Sequence, residues 1–555
     1  METVKIKNIS SLEKRFTCER IEDVPEYNAG SALRGERFSY QIAYRCDDMR
    51  GDVKKILYCR VESPLAPYVT VSRVDTVPVR MPMYKVDADD YYISRSPGLY
   101  PDLLVPITGK TQLFAFKGEY MCLRVDVDIP ANAGAGVFPV KLILSSDGED
   151  AAAATFSLEV IDAVLPEQKI KVTQWFHSDC LASYYRVEIF SEEHWRIIEN
   201  FIRTAVKNGI NMILTPVLTP ALDTAIGGER PTVQLVDVNK NGGVYSFGFE
   251  KLDRWVRLCL SLGVKYFEIA HLFTQWGAEH APKVMATVDG EYKRIFGWET
   301  DAAGEDYKEF LTAFLPALKA ELVSLGVFDV CFFHLSDEPG GDKIENYLAV
   351  KRVVNDLLDG CTIMDALSDY SFYERGALDT PVVSTDHVDT YLEHGVKDLW
   401  VYYCCCQYKK VSNRLVAMPQ ARNRIIGYQF YKFGIAGFLQ WGYNFYFTQY
   451  SVEPIDPYHC TDGGYFVPAG DAFSVYPAPD GTAYETLHLS AFTEALYDLR
   501  AMELLESLAG REAVMEILED GIDPITFSEY PHSDEYILNT REKINLKIKE
   551  LSGKR

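Results

Sequence analysis

The sequence is poor in several features that would assign it to large classes of protein. Its first residues, Met1-Glu-Thr-Val-Lys-Ile-Lys-Asn, carry no apolar signal core and no small-residue cleavage site. No stretch approaches the ~18 uncharged apolar residues of a membrane-spanning helix, and Leu399–Cys406 falls far short. A cytoplasmic location is expected on these grounds. Basic residues are scarce: 56 Lys and Arg face 80 Asp and Glu, a net charge of −24, which disfavours nucleic acid and other phosphate polyanions. Neither Cys-x-x-Cys nor His-Glu-x-x-His occurs, so the familiar zinc frameworks are missing. The 12 cysteines are scattered except for Cys404-Cys405-Cys406. Neighbours in a strand point to opposite faces, so this run reads as small apolar residues of a buried strand and as a poor disulfide or metal framework. Internal repeats and low-complexity tracts are lacking too.

What is present in excess is aromatic: 35 Tyr, 29 Phe and 7 Trp make up 13% of the 555 residues. The hydrophobic share of 47% and charged share of 25% exclude wholesale disorder. At roughly 100–200 residues per domain the length predicts two to four domains. The aromatic excess has two readings. One is large cores with Tyr hydroxyls reaching the surface. The other is a cleft whose flat apolar faces meet a ligand that also needs hydrogen bonds, as a sugar does.

Residues 1–166 show short alternating runs such as Phe38-Ser-Tyr-Gln-Ile-Ala-Tyr-Arg and Tyr120-Met-Cys-Leu-Arg-Val-Asp-Val, separated by Gly, Pro, Asn and Asp. That pattern predicts an N-terminal antiparallel β-sandwich. Beyond Pro166 the rhythm changes to strand and helix in alternation. Eight apolar strand candidates follow: Ile170–His177, Met212–Leu218, Tyr266–Phe273, Asp329–His334, Thr362–Leu367, Pro381–Asp386, Leu399–Cys405 and Ile435–Trp441. Helical stripes fill several gaps, as in His194–Val206, where Trp195, Ile198, Phe201, Ile202 and Ala205 share a face. Residues 167–447 are therefore expected to form a (β/α)8 TIM barrel. A doubly wound open sheet is the alternative, but no Gly-rich phosphate turn follows the first strand. Residues 448–555 read as a loop and helical region packing on the barrel.

In such a barrel the working groups sit at the C-terminal ends of the strands. Read in order, those ends carry His177 and Asp179, then His271 and Trp276, then His334-Leu-Ser-Asp337-Glu338-Pro339, then Asp365 and Tyr370, Asp386-His387, Tyr402-Tyr403, and Trp441 with Tyr443. Asp337 and Glu338 appear abruptly after the apolar run Val330-Cys-Phe-Phe. They suit a helix start, with Ser336 or Asp337 as cap and Pro339 just inside. They equally suit a catalytic pair, in which burial beside a second carboxylate keeps one group protonated near neutral pH. Adjacent residues lie too close to flank a glycosidic bond from opposite faces at ~5–10 Å, so a nucleophile would have to come from elsewhere. For His177, His271, His334 and His387 the default is a satisfied core histidine, and a metal site completed by Asp337 or Asp386 is the alternative. Trp276, Trp441 and Tyr443 suit either plain core or a sugar platform.

The run His334-Leu-Ser-Asp337-Glu338-Pro339 resembles the catalytic Asp-Glu signature of glycoside hydrolase family 123. Further similarity lies in Trp175-Phe-His177-Ser-Asp179, His271-Leu-Phe-Thr-Gln-Trp276-Gly-Ala, Phe296-Gly-Trp-Glu-Thr, Gly437-Phe-Leu-Gln-Trp441-Gly-Tyr443-Asn and Gly470-Asp-Ala-Phe-Ser-Val-Tyr476-Pro, spread over most of 35–505. The resemblance implies a β-sandwich joined to a catalytic TIM barrel, with β-N-acetylgalactosaminidase-like activity and neither metal nor organic cofactor. The substrate would be an oligosaccharide or glycoconjugate, with no nucleic-acid or membrane partner.

It also implies a mechanism that removes the adjacency problem. The substrate's own 2-acetamido oxygen attacks the anomeric carbon, giving an oxazoline and net retention. Asp337 would hold the acetamido N–H, and Glu338 would act as acid and then base. Tyr403, in preference to Tyr402, would bind the acetamido carbonyl, and Trp276, Trp441 and Tyr443 would wall a pocket that His177, His271 and Asp386 help to line. One departure stands out. Where the family reads Ser-x-Arg-x-x-x-x-Arg-x-Gly, this chain has Thr486-Leu-His488-Leu-Ser-Ala-Phe-Thr-Glu494-Ala, which bears on a helix contact or subsite more than on the fold. Rival expectations are another glycosidase specificity on the same barrel, a non-catalytic sugar-binding protein, and a metal-dependent hydrolase using the strand-end histidines.

Overall fold

The structure, a computed structural model, describes residues 4–47, 53–378 and 380–553. The N-terminal segment folds into two five-stranded sheets. One runs in the order Val4–Ser10, Arg37–Cys46, Met121–Asp128, Val69–Val79, Gly98–Pro106, and the other Ala29–Arg34, Glu149–Val164, Gly136–Ser146, Lys54–Glu62, Leu113–Phe116. Their inner faces bury Tyr40, Ile42, Leu57, Val125, Leu142 and Phe156, the alternate positions of the runs read from the sequence. The expected antiparallel sandwich is present with one departure: Ala29–Arg34 pairs in parallel with Glu149–Val164. The two strands are remote in sequence, so no hairpin ties their directions.

The second unit is a closed barrel of eight parallel strands: Lys171–Gln174, Met212–Thr215, Tyr266–Ile269, Cys331–Phe333, Thr362–Ala366, Thr380–Ser384, Trp400–Tyr402 and Gly437–Gln440. Pairing of the eighth strand with the first closes it. Seven of the strands lie within the apolar candidates, and the sixth begins one residue ahead of its candidate, at Thr380. Helix Glu192–Lys207 buries its expected stripe and is capped by Ser191, whose hydroxyl oxygen accepts the His194 N–H at 3.3 Å. The floor of the barrel is filled by Met212, Leu214, Met364, Val382, Trp400 and Leu439. Gly437 is required there by close approach, since a Cβ on it would lie 2.0 Å from the Trp400 ring.

An element not expected from the sequence is a four-stranded sheet, ordered Val244–Gly248, Asp237–Asn241, Val284–Val288, Glu291–Phe296, built from the loops after barrel strands two and three. Its two hairpins turn at Gly242-Gly243 and Asp289-Gly290, all four residues at positive φ, as type I′ turns demand.

Helix Leu487–Ala509 packs against Gln420–Arg424, Ile426–Phe433 and the helices Arg511–Leu518 and Asp534–Ser552, and it also meets the sandwich strand Gly98–Pro106. Here the departure from the arginine pattern has a structural counterpart. The carboxylates lie on this helix and the guanidiniums come from elsewhere: Glu494 takes Arg124 at 2.8 Å and Arg424 at 2.5 Å, and Asp498 takes Arg424 at 2.7 Å and Arg541 at 3.0 Å. His488 faces Asp102 of the sandwich at 2.9 Å. The charges are buried but paired, which fixes how sandwich, barrel and last helix meet. The sandwich also sends the segment after Val79 across the barrel mouth. Asp89 receives Arg422 at 2.7 Å and the Tyr92 hydroxyl donates to the Tyr408 carbonyl at 2.7 Å.

Candidate active site

A cavity of about 250 Å³ opens at the C-terminal end of the barrel. Asp337, Glu338, Trp276, Trp441, His177 and Tyr402 are in its wall, with Tyr84 contributed by the sandwich. A shallower groove, with Asp386 and His387 in its wall, continues from Glu338 and Tyr402.

Asp337 and Glu338 do not begin a helix. The next helical turn is a 3-10 segment that starts at Gly341 and leads into an α-helix at Ile344, and Glu338 has φ +40°, a left-handed conformation that costs a non-glycine residue about 1–3 kcal/mol. The capping reading is thus overturned, because a cap residue has extended backbone and leads straight into helical φ/ψ. The Trp276 N–H donates to the Asp337 carbonyl at 2.8 Å, so the loops after strands three and four are tied together where the strain is held. Trp276 is itself at φ +61° and 45% exposed, with its ring at the cavity rim.

Burial raises the pKa of both carboxyls. For Asp337 the charge of Glu338 adds to the rise, and for Glu338 the hydrogen bond from the Tyr402 hydroxyl, at 2.6 Å, opposes it. Glu338 is solvent-accessible as a residue, yet its carboxylate is turned onto Tyr402 and held among protein atoms. Removing this phenol is expected to move a pH profile. In Tyr402→Phe the pKa of Glu338 rises further, so the alkaline limb of kcat/KM against pH shifts to higher pH if Glu338 works as an acid. An unmoved limb would dissociate Tyr402 from that titration.

Beneath the pair lies a fully buried ionic core. His334 Nε2 meets Glu268 at 2.6 Å and Nδ1 meets Asp365 at 3.0 Å. Glu268 also accepts the Thr173 hydroxyl at 2.5 Å and the Trp175 indole N–H at 2.7 Å, and Asp365 accepts the Tyr347 hydroxyl at 2.5 Å. Burial by itself lowers the pKa of His334, but the bonds to Asp365 and Glu268 outweigh it and push the value up to about 10. The resulting imidazolium favours ionisation of Asp337. His271 stacks on this ring at 4.2 Å and is kept neutral, first by burial and then by the His334 charge. His271, His334 and Asp365 bring ligand atoms within 4.8 Å of one another. They nevertheless suit a metal poorly, because both His334 nitrogens donate to carboxylates and offer no lone pair.

A pH dependence of stability follows from the raised value. His334 contributes stability that is fully present below its unfolded pKa near 6.5 and is lost as pH rises through about 10. The thermal midpoint of the wild type is expected to fall across that window. Asp365→Asn should start from a lower midpoint and fall less. Parallel curves for the two proteins would remove His334 as the source.

The remaining expected residues divide into two groups. His177 and Trp441 belong to the cavity together. Arg230, doubly bonded to Asp179 at 2.8 Å, donates to His177 Nδ1 at 3.1 Å, which leaves Nε2–H to donate to the Trp441 carbonyl at 2.9 Å. Burial, followed by the Arg230 charge, drives the His177 pKa down to about 3, so this ring is a neutral brace. The Trp441 indole N–H donates to Asp471 at 3.1 Å, which fixes the ring from its other side. Asp386 stands in the adjoining groove and accepts from Gln407 at 2.9 Å.

Tyr403, Tyr443 and His271 lie elsewhere. Tyr403 follows Trp400 and Tyr402 out of phase, so its ring faces the surrounding helices against Phe438. Tyr402 is the tyrosine that enters the cavity. Tyr443 donates to the Phe201 carbonyl at 3.0 Å and stacks on Phe176 outside the barrel. His271 lies under the pocket and not in its wall. The expectation for Cys404–Cys406 also changes. The strand ends at Tyr402, and the three cysteines form a turn in the cavity wall.

Sequence reasoning missed Tyr84, Asp223, Glu268 and Asp471. Asp223 is a half-buried cavity-wall carboxyl whose pKa burial raises to about 6. Only Glu268 had a local signal, a lone acidic residue inside an apolar strand.

A (β/α)8 barrel with carboxyls and indoles gathered at its C-terminal mouth has the architecture of a carbohydrate-cleaving enzyme, and the comparisons place the chain in that class: it is a glycoside hydrolase. The sequence model of the glycoside hydrolase 123 catalytic domain matches residues 175–505, and the chain belongs to family 123. A family 123 glycoside hydrolase from Clostridium perfringens, studied for glycolipid glycan hydrolysis, superimposes with a TM-score of 0.73 at 15% identity, over 100% of this chain and 99% of that one. The Bacteroides ovatus family 5 xyloglucanase gives a TM-score of 0.29 at 9% identity, over 85% and 98%. No curated protein sequence matches the chain.

Proposed function

We propose that the chain is a retaining, exo-acting β-N-acetylhexosaminidase that prefers terminal β-linked N-acetylgalactosamine and works through the substrate's acetamido group. The observation that carries this reading is the pairing of adjacent carboxyls, Asp337 and Glu338, in one aromatic-walled cavity with different surroundings. Burial raises both carboxyls, and different groups oppose the rise: the His334 imidazolium at Asp337 and the Tyr402 hydroxyl at Glu338. In this reading Asp337 works ionised, with His334 beneath it, and Glu338 works protonated. Asp337 accepts the acetamido N–H and turns the carbonyl oxygen onto the anomeric carbon. As that C–O bond forms, the glycosidic C–O bond breaks and its oxygen takes the Glu338 proton. Positive charge spreads over the oxazolinium ring beside the Asp337 carboxylate. Glu338, now ionised, removes a proton from water, which opens the oxazoline from the face the leaving group vacated, so configuration is retained. Tyr402 holds Glu338 in line and Trp441 offers a flat face to the sugar.

One observation favours a second reading. Asp223 is a third carboxyl in the wall of the same cavity, and a mechanism using two separated carboxyls would combine it with Glu338. A single assay series separates the two. Hydrolysis of p-nitrophenyl β-GalNAc and β-GlcNAc, inhibition by a thiazoline analogue and indifference of Asp223→Asn support substrate assistance. Equal cleavage of the plain β-galactoside, or collapse of activity in Asp223→Asn, sinks it. No turnover of any glycoside would leave a sugar-binding role. The glycolipid glycans of the Clostridium relative fall in the same broad substrate class, glycoconjugates with a removable terminal sugar.

A further inference from the structure

The turn that follows barrel strand seven places three thiols side by side. The Sγ atoms of Cys404, Cys405 and Cys406 all lie within 4.8 Å of one another, and Cys405 and Cys406 are 4.0 Å apart. In a tetrahedral thiolate site with metal–sulfur bonds of about 2.3 Å, neighbouring sulfurs are separated by about 3.8 Å, so the spacing suits a shared cation and is far from a disulfide bond. The turn is held from several sides. The Cys404 N–H donates to Gln407 Oε1 at 2.8 Å, and the Cys404 carbonyl accepts from Asn413 Nδ2 at 2.8 Å and from the Gln407 N–H at 3.1 Å. Cys404 and Cys405 are half-buried while Cys406 is exposed, which gives a cation a route in from the cavity.

We propose that Cys404, Cys405 and Cys406 form a binding site for a soft divalent cation of the zinc or cadmium type, at the wall of the catalytic cavity. Binding joins three sulfurs to the metal and releases the protons of those thiols still protonated. A fourth position faces the cavity and takes water or another small donor. If the cavity is the glycosidase site proposed above, a cation here narrows it beside Glu338 and inhibits hydrolysis.

The test is cadmium titration of the full-length protein, followed by sulfur-to-metal charge-transfer absorbance, which does not depend on any enzymatic activity. The expected result is saturation at one Cd2+ per chain, with Zn2+ competing. Cys406→Ser, at the exposed position, should bind at least about 100-fold more weakly, in keeping with the loss of a direct ligand. Cys405→Ser gives a second reading should the first variant rearrange, and Cys18→Ser, an exposed thiol far from the cavity in the sequence, should bind as wild type. No charge-transfer band at stoichiometric Cd2+, or equal affinity in wild type, Cys405→Ser and Cys406→Ser, overturns the proposal. Inhibition of p-nitrophenyl glycoside hydrolysis over the same concentration range is the functional arm. Cadmium binding without any glycosidase activity would leave the metal site standing and remove only the glycosidase reading.

Discussion

Glu338→Gln is expected to lose about 10²–10⁴-fold in kcat/KM on natural glycosides, whose poor leaving alcohols need a proton as the bond breaks. On p-nitrophenyl glycosides the same variant should keep kcat/KM within a few-fold of wild type, since nitrophenolate departs unaided. Its kcat should nevertheless fall, because glutamine cannot take the proton from the water that opens the oxazoline. The split between the two parameters is the diagnostic feature, as kcat/KM reports the first irreversible step and kcat includes the second. Equal losses on nitrophenyl and alkyl glycosides would falsify the assignment of Glu338 as the acid. Tyr402 makes the experiment cleaner: its hydroxyl donates to Glu338 at 2.6 Å and can donate equally to the glutamine oxygen, so the side chain stays in place.

Asp337→Asn should lose about 10²–10³-fold on every leaving group, with nitrophenyl and alkyl glycosides affected alike. Asparagine still offers an oxygen to the acetamido N–H, but it carries no charge to balance the oxazolinium. It also leaves the His334 imidazolium with less negative charge above it. Stability should change little or rise, because the variant removes a buried carboxyl whose pKa is already pushed up. Activity near wild type on β-GalNAc substrates would refute the role given to Asp337. Read together, the two variants distinguish a proton donor from an orienting anion, although the residues are neighbours in the chain.

Much of the fold was legible in the sequence. The eight barrel strands are buried on both faces and read as continuous apolar runs, a pattern independent of partners. The sandwich strands alternate because one face is wet. The inserted sheet is not legible although Asn241-Gly242-Gly243 and Asp289-Gly290 are strong hairpin turns, since its strands are only five or six residues long and lie between barrel strands, where loops are the default. The parallel pairing of Ala29–Arg34 with Glu149–Val164 joins two strands that no local signal connects.

The site was legible in part. Asp337, Glu338, Trp276 and Trp441 stand out because acidic or indole side chains end apolar strands. The resemblance points to a tyrosine near the end of strand seven without fixing which one, and strand alternation counted from Trp400 selects Tyr402 over the expected Tyr403. The cysteine run was read as strand, and the thiols converge only because the strand stops at Tyr402. Tyr84 arrives from another domain, on a segment clasped by Arg422, and no motif announces it.

The sequence by itself determined the two kinds of core, the number of barrel strands, the family and the acidic pair, because each depends on residues close together in the chain. Only the tertiary structure decided what those residues become chemically. His334 is charged because Glu268 and Asp365, from two other strands, meet its nitrogens. His177 is neutral because the fold buries it and because Arg230, from a distant loop, brings its charge to Nδ1. Protonation states and cavity walls are set by groups that burial brings within hydrogen-bonding distance across the barrel, and the chain's order along its length does not encode that distance.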